Sequence, residues 1–170
     1  RRLRVALLSG DVCFHACAFF LGALVTGVDR DRIELVMYAA NEMDDTSRAF
    51  ARVLPYWDSS RASADDICAR ARADGVDVLV ECSGWTKQGR LAALTPRAAP
   101  VQMSWLGDPN TTGLPGVDWR VVDALTDPQC AEAWHRERLL RMEGCFLCYQ
   151  AAAETPGDAL SEHLSGGAAP

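Results

Sequence analysis

The stretch LRVALLSGDVCFHACAFFLGALVTG, residues 3–27, contains a predicted strand, a polar loop and a predicted helix in direct succession. Its first segment, Leu3–Leu8, is short and mostly aliphatic, which is typical of a strand covered on both faces of a sheet. The segment His15–Gly27 is longer and mostly apolar, which favours a helix packed against that sheet. The polar residues between the two segments therefore lie where a strand gives way to a helix.

The same succession recurs along the chain. Further strands are predicted at residues 33–38, 76–82, 101–105 and 120–123, and further helices at residues 46–53, 63–73 and 88–94. Ser63 and Asp66 form a capping-box pattern at the start of one of these helices, and Gly75 supplies its stop. Regular alternation of strands and helices predicts an α/β fold with a doubly wound, mainly parallel, Rossmann-like sheet. Ligands of such sheets bind outside the carboxyl ends of the strands, so the loops that follow the strands are the candidates for function.

Composition and charge limit the organisation of the chain and its partners. One domain is expected for 170 residues, and we assign it to residues 1–150 because residues 151–170 are rich in Ala, Gly, Pro and Ser, as in a linker or disordered tail. A net charge of −6 without a cluster of Lys and Arg argues against nucleic acid as a partner. No apolar run is long enough to cross a bilayer and no signal-peptide pattern begins the sequence, so we expect a cytoplasmic protein without a membrane partner.

The cysteines suggest reduced thiols, because seven is an odd number and the chain is large enough to fold without disulfides. Cys145 and Cys148 have the spacing of a metal or redox pair. A zinc site needs about four ligands, however, and no second cysteine pair or histidine pair completes one. We therefore expect these two thiols to pack as ordinary apolar side chains, and we expect no metal site.

The loop after the first strand, Ser9–His15, carries an acidic and a basic side chain at the start of a helix. Unpaired backbone N–H groups at a helix amino terminus favour an anion, so this loop is a candidate ligand site. Asp11 is the candidate proton acceptor and His15 the candidate hydrogen-bonding orienter of a ligand, which makes them the candidate catalytic residues. The alternative is that Asp11 caps the turn and that His15 makes only a local hydrogen bond.

Two further loops contain residues suited to binding. In Cys82–Lys87, Gly84 permits a tight turn or the close approach of a ligand, and the hydroxyl of Thr86 is available either to a sugar or as a cap of the next helix. Glu81 ends a strand that is expected to be buried, so it needs a partner or a position at the edge of a cleft. In the long loop Trp105–Gly116, oxygen-rich ligands can approach the backbone at its glycines, although a purely structural cluster of turns is the alternative.

Four stretches carry a resemblance to a known family: LRVALLSGDVCFHACAFFL (3–21), ADGVDVLVECSGWTKQGRL (73–91), RAAPVQMSWLGDPNTTGLPGVDWRVVDALTDP (97–128) and ERLLRMEGCFLCY (137–149). In order and spacing they resemble the catalytic region of the protein O-linked N-acetylglucosamine transferase family, especially its bacterial members with tetratricopeptide repeats. One departure from the family pattern is Asp108, which replaces an aromatic residue and is expected to repel a diphosphate.

This resemblance implies one lobe of a GT-B glycosyltransferase, whose active cleft lies between two Rossmann-like lobes. Such an enzyme moves N-acetylglucosamine from UDP-N-acetylglucosamine (UDP-GlcNAc) to serine or threonine of a protein, with inversion and without a metal or other cofactor. By the resemblance, Asp11 is a candidate for removing the proton of the acceptor hydroxyl, and His15 lies beside the sugar and pyrophosphate. The candidate substrate-binding residues are Ala16, Cys17, Phe20, Gly84, Thr86, Leu106, Gly107, Thr111 and Thr112.

The resemblance also implies partners. In the family a second, carboxyl-terminal lobe holds most of the uridine and diphosphate contacts, so we expect such a nucleotide-binding lobe and an acceptor protein as partners, and we expect the chain alone to be inactive. Two alternatives stay open at this point. One is a lobe of a related protein glucosyltransferase, and the other is a noncatalytic α/β module that binds a partner protein.

Overall fold

The computed structural model describes residues 1–149, and the segment 151–170, predicted to be a linker or tail, lies outside the described residues. The strands are β1 (Leu3–Ser9), β2 (Ile33–Ala39), β3 (Tyr56–Asp58), β4 (Val78–Glu81), β5 (Val101–Ser104), β6 (Trp119–Asp123) and β7 (Arg138–Met142). They form one sheet in the order β3-β2-β1-β4-β5-β6-β7, and every neighbouring pair is parallel. The prediction of a mainly parallel sheet is confirmed.

Three α-helices connect strands of the sheet: α1 (Ala16–Gly27), α2 (Asp45–Val53) and α3 (Ala64–Ala73). Each begins and ends within one residue of its predicted bounds. The capping box predicted at the start of α3 is present, because Ser63 Oγ accepts from the Asp66 N–H at 3.1 Å and Asp66 Oδ2 accepts from the Ser63 N–H at 2.9 Å. Within residues 1–149, no helix has the length and apolar character needed to cross a bilayer.

Alternate side chains of the strands pack against opposite layers. The buried side chains of Leu7 and Met37 belong to a core cluster shared with α1 and α2. Their neighbours Ala6, Leu8 and Tyr38 belong to a second cluster shared with α3. Because successive side chains of a strand point to opposite faces, helices must cover both faces of the sheet. The fold is therefore doubly wound, as predicted.

The prediction of a helix at residues 88–94 is wrong. Only a short 3₁₀ helix, Leu91–Leu94, occurs there. The carboxylate of Glu81, at the end of β4, accepts a hydrogen bond from the Arg90 N–H at 3.0 Å. This bond turns the chain back towards the sheet at Arg90. Only a few residues then remain before Pro96, and so short a helix is marginal.

The two edge strands, β3 and β7, were not predicted from the sequence. β3 has three residues, fewer than a strand signal needs. In β7, exposed and half-buried residues alternate, so the continuous apolar character that marks the central strands is missing.

The carboxyl ends of β1, β4 and β5 are adjacent in the sheet and close in level. Leu8 pairs with Glu81, and Glu81 pairs with Ser104. Three loops therefore leave the same edge side by side: the β1–α1 loop (10–15), the β4 loop (82–90) and the β5 loop (105–118).

Candidate functional site

Asp11 occupies an unusual position in the β1–α1 loop. Its side chain is buried, with only 5% of the residue exposed, and its N–H donates to Ser9 Oγ at 3.0 Å. Among residues 1–149, no hydrogen-bond partner reaches its buried Oδ2 atom. A buried carboxylate oxygen without a partner is costly and rare, and one explanation is that a ligand supplies the missing bond.

His15, rather than Asp11, caps α1. Its Nδ1 atom accepts a hydrogen bond from the Cys17 N–H at 3.2 Å, and its side chain is exposed. The local hydrogen bond considered for His15 is therefore present. In a neutral ring this arrangement places the proton on Nε2, which leaves Nε2 as a donor towards a ligand.

Asp11, His15 and Cys17 form one cluster. Their ligating atoms, a carboxylate oxygen, an imidazole nitrogen and the Sγ sulfur, all lie within 4.8 Å of one another. Burial raises the pKa of the Cys17 thiol; a hydrogen bond from the Gly107 backbone counteracts part of this shift, and the nearby charge of Asp11 adds to it. Cys17, in the first turn of α1, thus lies beside Gly107 of the β5 loop.

Glu81 is hydrogen-bonded to the backbone of the β4 loop at two positions. It is fully buried, and its carboxylate accepts from the Gly84 N–H at 2.8 Å and from the Arg90 N–H at 3.0 Å. Burial raises the pKa of Glu81 to about 7, against the lowering effect of these backbone hydrogen bonds and with a small further increase from Asp11. The partners that Glu81 was expected to need are thus backbone groups of its own loop.

Ser83 joins the β4 loop to the β1–α1 loop. Its Oγ accepts a hydrogen bond from the Gly10 N–H at 3.0 Å and lies 3.2 Å from Ser9 Oγ. Because Gly10 directly precedes Asp11, this bond fixes the backbone from which the candidate base projects. The Ser83 carbonyl also accepts a hydrogen bond from the Asp108 N–H of the β5 loop at 3.3 Å, so the three loops are bonded in series.

The β4 and β5 loops meet backbone to backbone at two glycines. Leu106 and Gly107 have φ angles of 61° and 58°, a left-handed pair in which Leu106 is strained. A Cβ atom on Gly107 would lie 2.2 Å from the Ser83 carbonyl oxygen, and one on Gly84, at φ 65°, would lie 2.8 Å from the Asp108 nitrogen. Only glycine fits at either position, so the sequence itself keeps the two loops in contact.

Other candidate binding residues lie along the same edge with different surroundings. Ala16 is exposed at the start of α1, whereas the ring of Phe20 is half-buried with its centroid 5.8 Å from that of Tyr149. Thr86 is exposed, and no side chain caps the 3₁₀ helix that follows it, so capping by Thr86 is wrong. The binding roles of these residues stay predictions.

Thr111 and Thr112 are engaged by Glu137. Glu137 Oε2 accepts from Thr111 Oγ1 at 2.6 Å, and Oε1 accepts from the N–H and the hydroxyl of Thr112. Burial alone would raise the pKa of Glu137, but the bonds from the threonines outweigh it and lower that pKa. These contacts favour a role for both threonines in holding the β5 loop, and their binding of a substrate stays a prediction.

Two charged residues that hold loops at this edge, Glu137 and Arg120, were not among the residues predicted from the sequence. Arg120 is buried, and its guanidinium donates to Ser104 Oγ at 3.1 Å and to the Asp108 carbonyl at 2.9 Å. The sequence contained one signal for Arg120, because it is a single arginine within a short predicted strand. The Asp108 carboxylate accepts from the Asn110 N–H at 2.8 Å within its own loop, and its repulsion of a diphosphate stays a prediction.

The two cysteines with metal spacing have different environments. Cys148 is half-buried, packs against the α1 side of the core and donates through Sγ to the Phe20 carbonyl at 3.4 Å. Cys145 is exposed, so its predicted packing role is wrong. The residue directly follows Gly144, in the irregular segment after β7.

A doubly wound parallel sheet with three bonded loops at its carboxyl edge defines a Rossmann-like α/β domain, the class of fold whose ligands bind at that edge. Comparison with known families makes this more specific, because the family model of Glycosyl transferase family 41 matches residues 1–153. That match covers most of the sequence, so the chain belongs to glycosyl transferase family 41. The resemblance drawn from the four motifs is confirmed.

Individual proteins to which the chain is similar support this family assignment. The chain is 36% identical over 160 residues to a protein of Arabidopsis thaliana named probable UDP-N-acetylglucosamine–peptide N-acetylglucosaminyltransferase SPINDLY, a match that covers 91% of this chain and 18% of that protein. It is 30% identical over 151 residues to the UDP-N-acetylglucosamine–peptide N-acetylglucosaminyltransferase of Caenorhabditis elegans, covering 86% of this chain and 13% of that one. The chain thus spans less than a fifth of the length of either relative.

A solved structure is similar as well. The structure of a mutant O-GlcNAc transferase from Thermobaculum terrenum matches the fold with a TM-score of 0.82 at 33% sequence identity, covering 86% of this chain and 29% of that chain. At this identity the likeness supports both the fold and the family.

Proposed function

We propose that the chain is the amino-terminal lobe of a GT-B enzyme that transfers N-acetylglucosamine from UDP-GlcNAc to serine or threonine of proteins. The observation that carries this proposal is the meeting of Asp11, His15, Cys17 and Gly107 at one edge of the sheet. Membership of family 41 and the names of the relatives supply the substrate class.

The chemistry assigns each of these groups a task. The acceptor hydroxyl attacks the anomeric carbon of the donor sugar, and the carboxylate of Asp11, whose Oδ2 atom has no hydrogen-bond partner among residues 1–149, takes the hydroxyl proton. His15 donates from Nε2 towards the sugar or the departing diphosphate, whose growing charge needs hydrogen-bond donors. The fixed backbone of Leu106 and Gly107 positions the sugar without rearrangement during the reaction.

The rest of the proposal concerns what surrounds this lobe. A carboxyl-terminal lobe supplies the uridine and most of the diphosphate contacts, tetratricopeptide repeats recruit the acceptor protein, and the reaction runs in the cytoplasm without a metal or other cofactor. Neither nucleic acid nor a membrane is a partner.

The test is a transfer assay with the full-length protein, an acceptor protein, a chelator and a panel of donors: UDP-GlcNAc, UDP-glucose and a GDP-activated sugar. We expect a mass increase of one N-acetylhexosamine on serine or threonine, with UDP-GlcNAc preferred. Transfer of hexose alone would favour the glucosyltransferase alternative. If no donor is used although the protein binds a partner, the noncatalytic module is the better interpretation.

A further inference from the structure

The cluster of Asp11, His15 and Cys17 combines three different metal-ligating groups. Its carboxylate oxygen, imidazole nitrogen and thiol sulfur approach within 4.8 Å of one another. Two of the three residues are buried, and among the described residues the Oδ2 atom of Asp11 has no hydrogen-bond partner. The buried Asp11 carboxylate thus brings to the cluster an oxygen atom, Oδ2, to which no other described residue is hydrogen-bonded.

We propose that this cluster binds one thiophilic divalent cation of the zinc type, with Asp11, His15 and Cys17 as its three protein ligands. Zinc accepts oxygen, nitrogen and sulfur ligands together, and sites with three protein ligands keep a fourth position open for water or substrate oxygen. Ligand atoms at zinc bond lengths of about 2.0–2.3 Å lie roughly 3.5 Å apart in a tetrahedron. The cluster has to contract by only about 1 Å to reach this geometry.

The charges of the complex balance. Cys17 binds as a thiolate and its proton passes to solvent, so the carboxylate and the thiolate together offset the two positive charges of the ion. This neutrality matters because the amino terminus of α1 disfavours an uncompensated cation. If zinc takes the Nδ1 atom of His15, it displaces the Cys17 N–H from that atom, and the complex must offset the loss of this capping bond.

The site has a consequence for catalysis that rests on the proposed function. The ion would bind the Asp11 oxygen, which the proposed reaction uses to take the acceptor proton. It would also bind a ring nitrogen of His15, the residue that the reaction uses to contact the donor. Zinc is thus expected to act as a reversible inhibitor of an enzyme that uses no metal. The binding site itself does not depend on that function and is tested separately.

The test of binding is a Co²⁺ titration of the 170-residue chain, followed by competition with Zn²⁺. We expect one equivalent of Co²⁺, a thiolate-to-metal absorption band in the near ultraviolet, and loss of that band when zinc is added. Cys17→Ser is expected to abolish the band, and Asp11→Asn and His15→Ala are each expected to weaken binding at least tenfold. Cys130→Ser and Cys145→Ser, which change exposed thiols outside the cluster, are the matched controls and should bind like the unmodified chain.

Circular dichroism establishes that each variant is folded, and a zinc-dependent rise in the melting temperature of the unmodified chain provides a readout that needs no variant. The proposal is overturned if the thiolate band persists in Cys17→Ser, if Cys145→Ser abolishes it, or if the unmodified chain shows neither the band nor the zinc-dependent rise. In the full-length enzyme, inhibition by zinc that Cys17→Ser relieves supports the inhibitory role. Transfer that zinc leaves unchanged overturns that role, and a complete lack of transfer without zinc counts against the proposed function rather than the metal site.

Discussion

Asp11 is the residue at which the proposed chemistry and the stability of the fold are expected to conflict. Its carboxylate is buried, its Oδ2 atom has no hydrogen-bond partner among residues 1–149, and the desolvation of such an oxygen opposes folding. A buried polar group of this kind calls for an explanation, and proton transfer is the one that we propose. Its neighbour His15 combines two roles, because the same ring caps α1 and lies within reach of Asp11.

The first prediction concerns Asp11→Asn in the full-length enzyme. The substitution removes the proton acceptor but keeps the shape of the side chain, so the turnover number should fall on the order of 100-fold or more. The free energy of unfolding should change by less than about 1 kcal/mol or rise slightly. Steady-state kinetics and thermal unfolding check both parts, with Asp31→Asn, an exposed aspartate, as the control. A large loss of stability with normal turnover would show that Asp11 is structural.

The second prediction concerns Glu81 and pH. Its folded pKa of about 7 lies above the ordinary value of 4.5, so between these values the folded protein binds more protons than the unfolded chain, and stability falls as pH rises. The contribution is complete below about pH 4.5, is lost as pH rises through about 7, and amounts to on the order of 3 kcal/mol. Glu81→Gln cannot ionise and should flatten this part of the stability curve.

Denaturant unfolding between pH 5 and about 8 measures the slope for the unmodified chain, for Glu81→Gln and for the control Glu42→Gln, whose side chain is exposed. We expect the control to keep the slope of the unmodified chain. Parallel curves for Glu81→Gln and the unmodified chain would contradict the assignment of the pH dependence to Glu81.

Single residues also show how far sequence reasoning reaches. Asp11 and His15 could be selected as candidates because they lie at a strand end before a helix, a local pattern. The link from Cys17 to Gly107 could not be found in this way, since it joins residues that are distant in sequence. Glu137 was missed because a glutamate before a strand has no visible signal until its threonine partners are placed beside it.

At the scale of elements, the contact between the β4 and β5 loops depends on the absence of side chains. A Cβ atom on Gly107 would nearly overlap the Ser83 carbonyl, and a second close approach occurs at Gly84. Loops packed in this way present rigid backbone rather than mobile side chains to a ligand. This rigidity suits the positioning of a sugar.

The third prediction therefore compares three glycine-to-alanine changes. Gly107→Ala combines an unfavourable φ of 58° with the clash at 2.2 Å and should cost more than about 2 kcal/mol of stability. Gly113→Ala has a φ of 67° but open space around it and should cost about 1–2 kcal/mol. Gly27→Ala, at the end of α1 with nothing within 4 Å, should change stability by less than about 0.5 kcal/mol. Equal losses for Gly107 and Gly113, measured by denaturant unfolding, would argue against tight loop contact.

The fourth prediction concerns Glu137, which joins the start of β7 to the β5 loop. Glu137→Gln keeps the size of the side chain but replaces one accepting oxygen with a donor, so hydrogen bonds to Thr111 or Thr112 are lost at a cost of about 1–2 kcal/mol. Hydrogen exchange of residues 107–114 should become faster. Glu143→Gln, an exposed change, is the control and should leave exchange in this loop as it is. Unchanged exchange in Glu137→Gln would mean that the loop is held elsewhere.

The elements differ in how well the sequence predicts them. The central strands and α1 to α3 have strong local signals, because both faces of the strands are covered and the helices have clear ends. The edge strands β3 and β7 become strands only by pairing with a neighbour, and the segment before Leu91 follows a bond to Glu81 rather than its own propensity. Tertiary contacts therefore decide the elements that were missed.

At the scale of the whole molecule, the strand order β1-β4-β5 brings the β1–α1 loop beside two loops that follow it in the sequence by about 70 and about 100 residues. The candidate site is therefore a product of topology. A groove with a volume of about 580 Å³ lies at the end of β2 and β3 and is lined by Glu42, Met43, Asp58, Ser60, Arg61 and Ala62. None of the candidate site residues lines this groove. A ligand bound there would therefore point to a different site from the one that we propose.

The most direct measurement is a crystal structure of the full-length protein with a non-transferable analogue of its nucleotide-sugar donor. We expect the sugar to lie between the two lobes, in contact with His15 and the Leu106–Gly107 backbone, with Asp11 facing its anomeric carbon across the space for an acceptor hydroxyl. A sugar bound in the groove near Arg61, with the loops after β1, β4 and β5 left free, would contradict it.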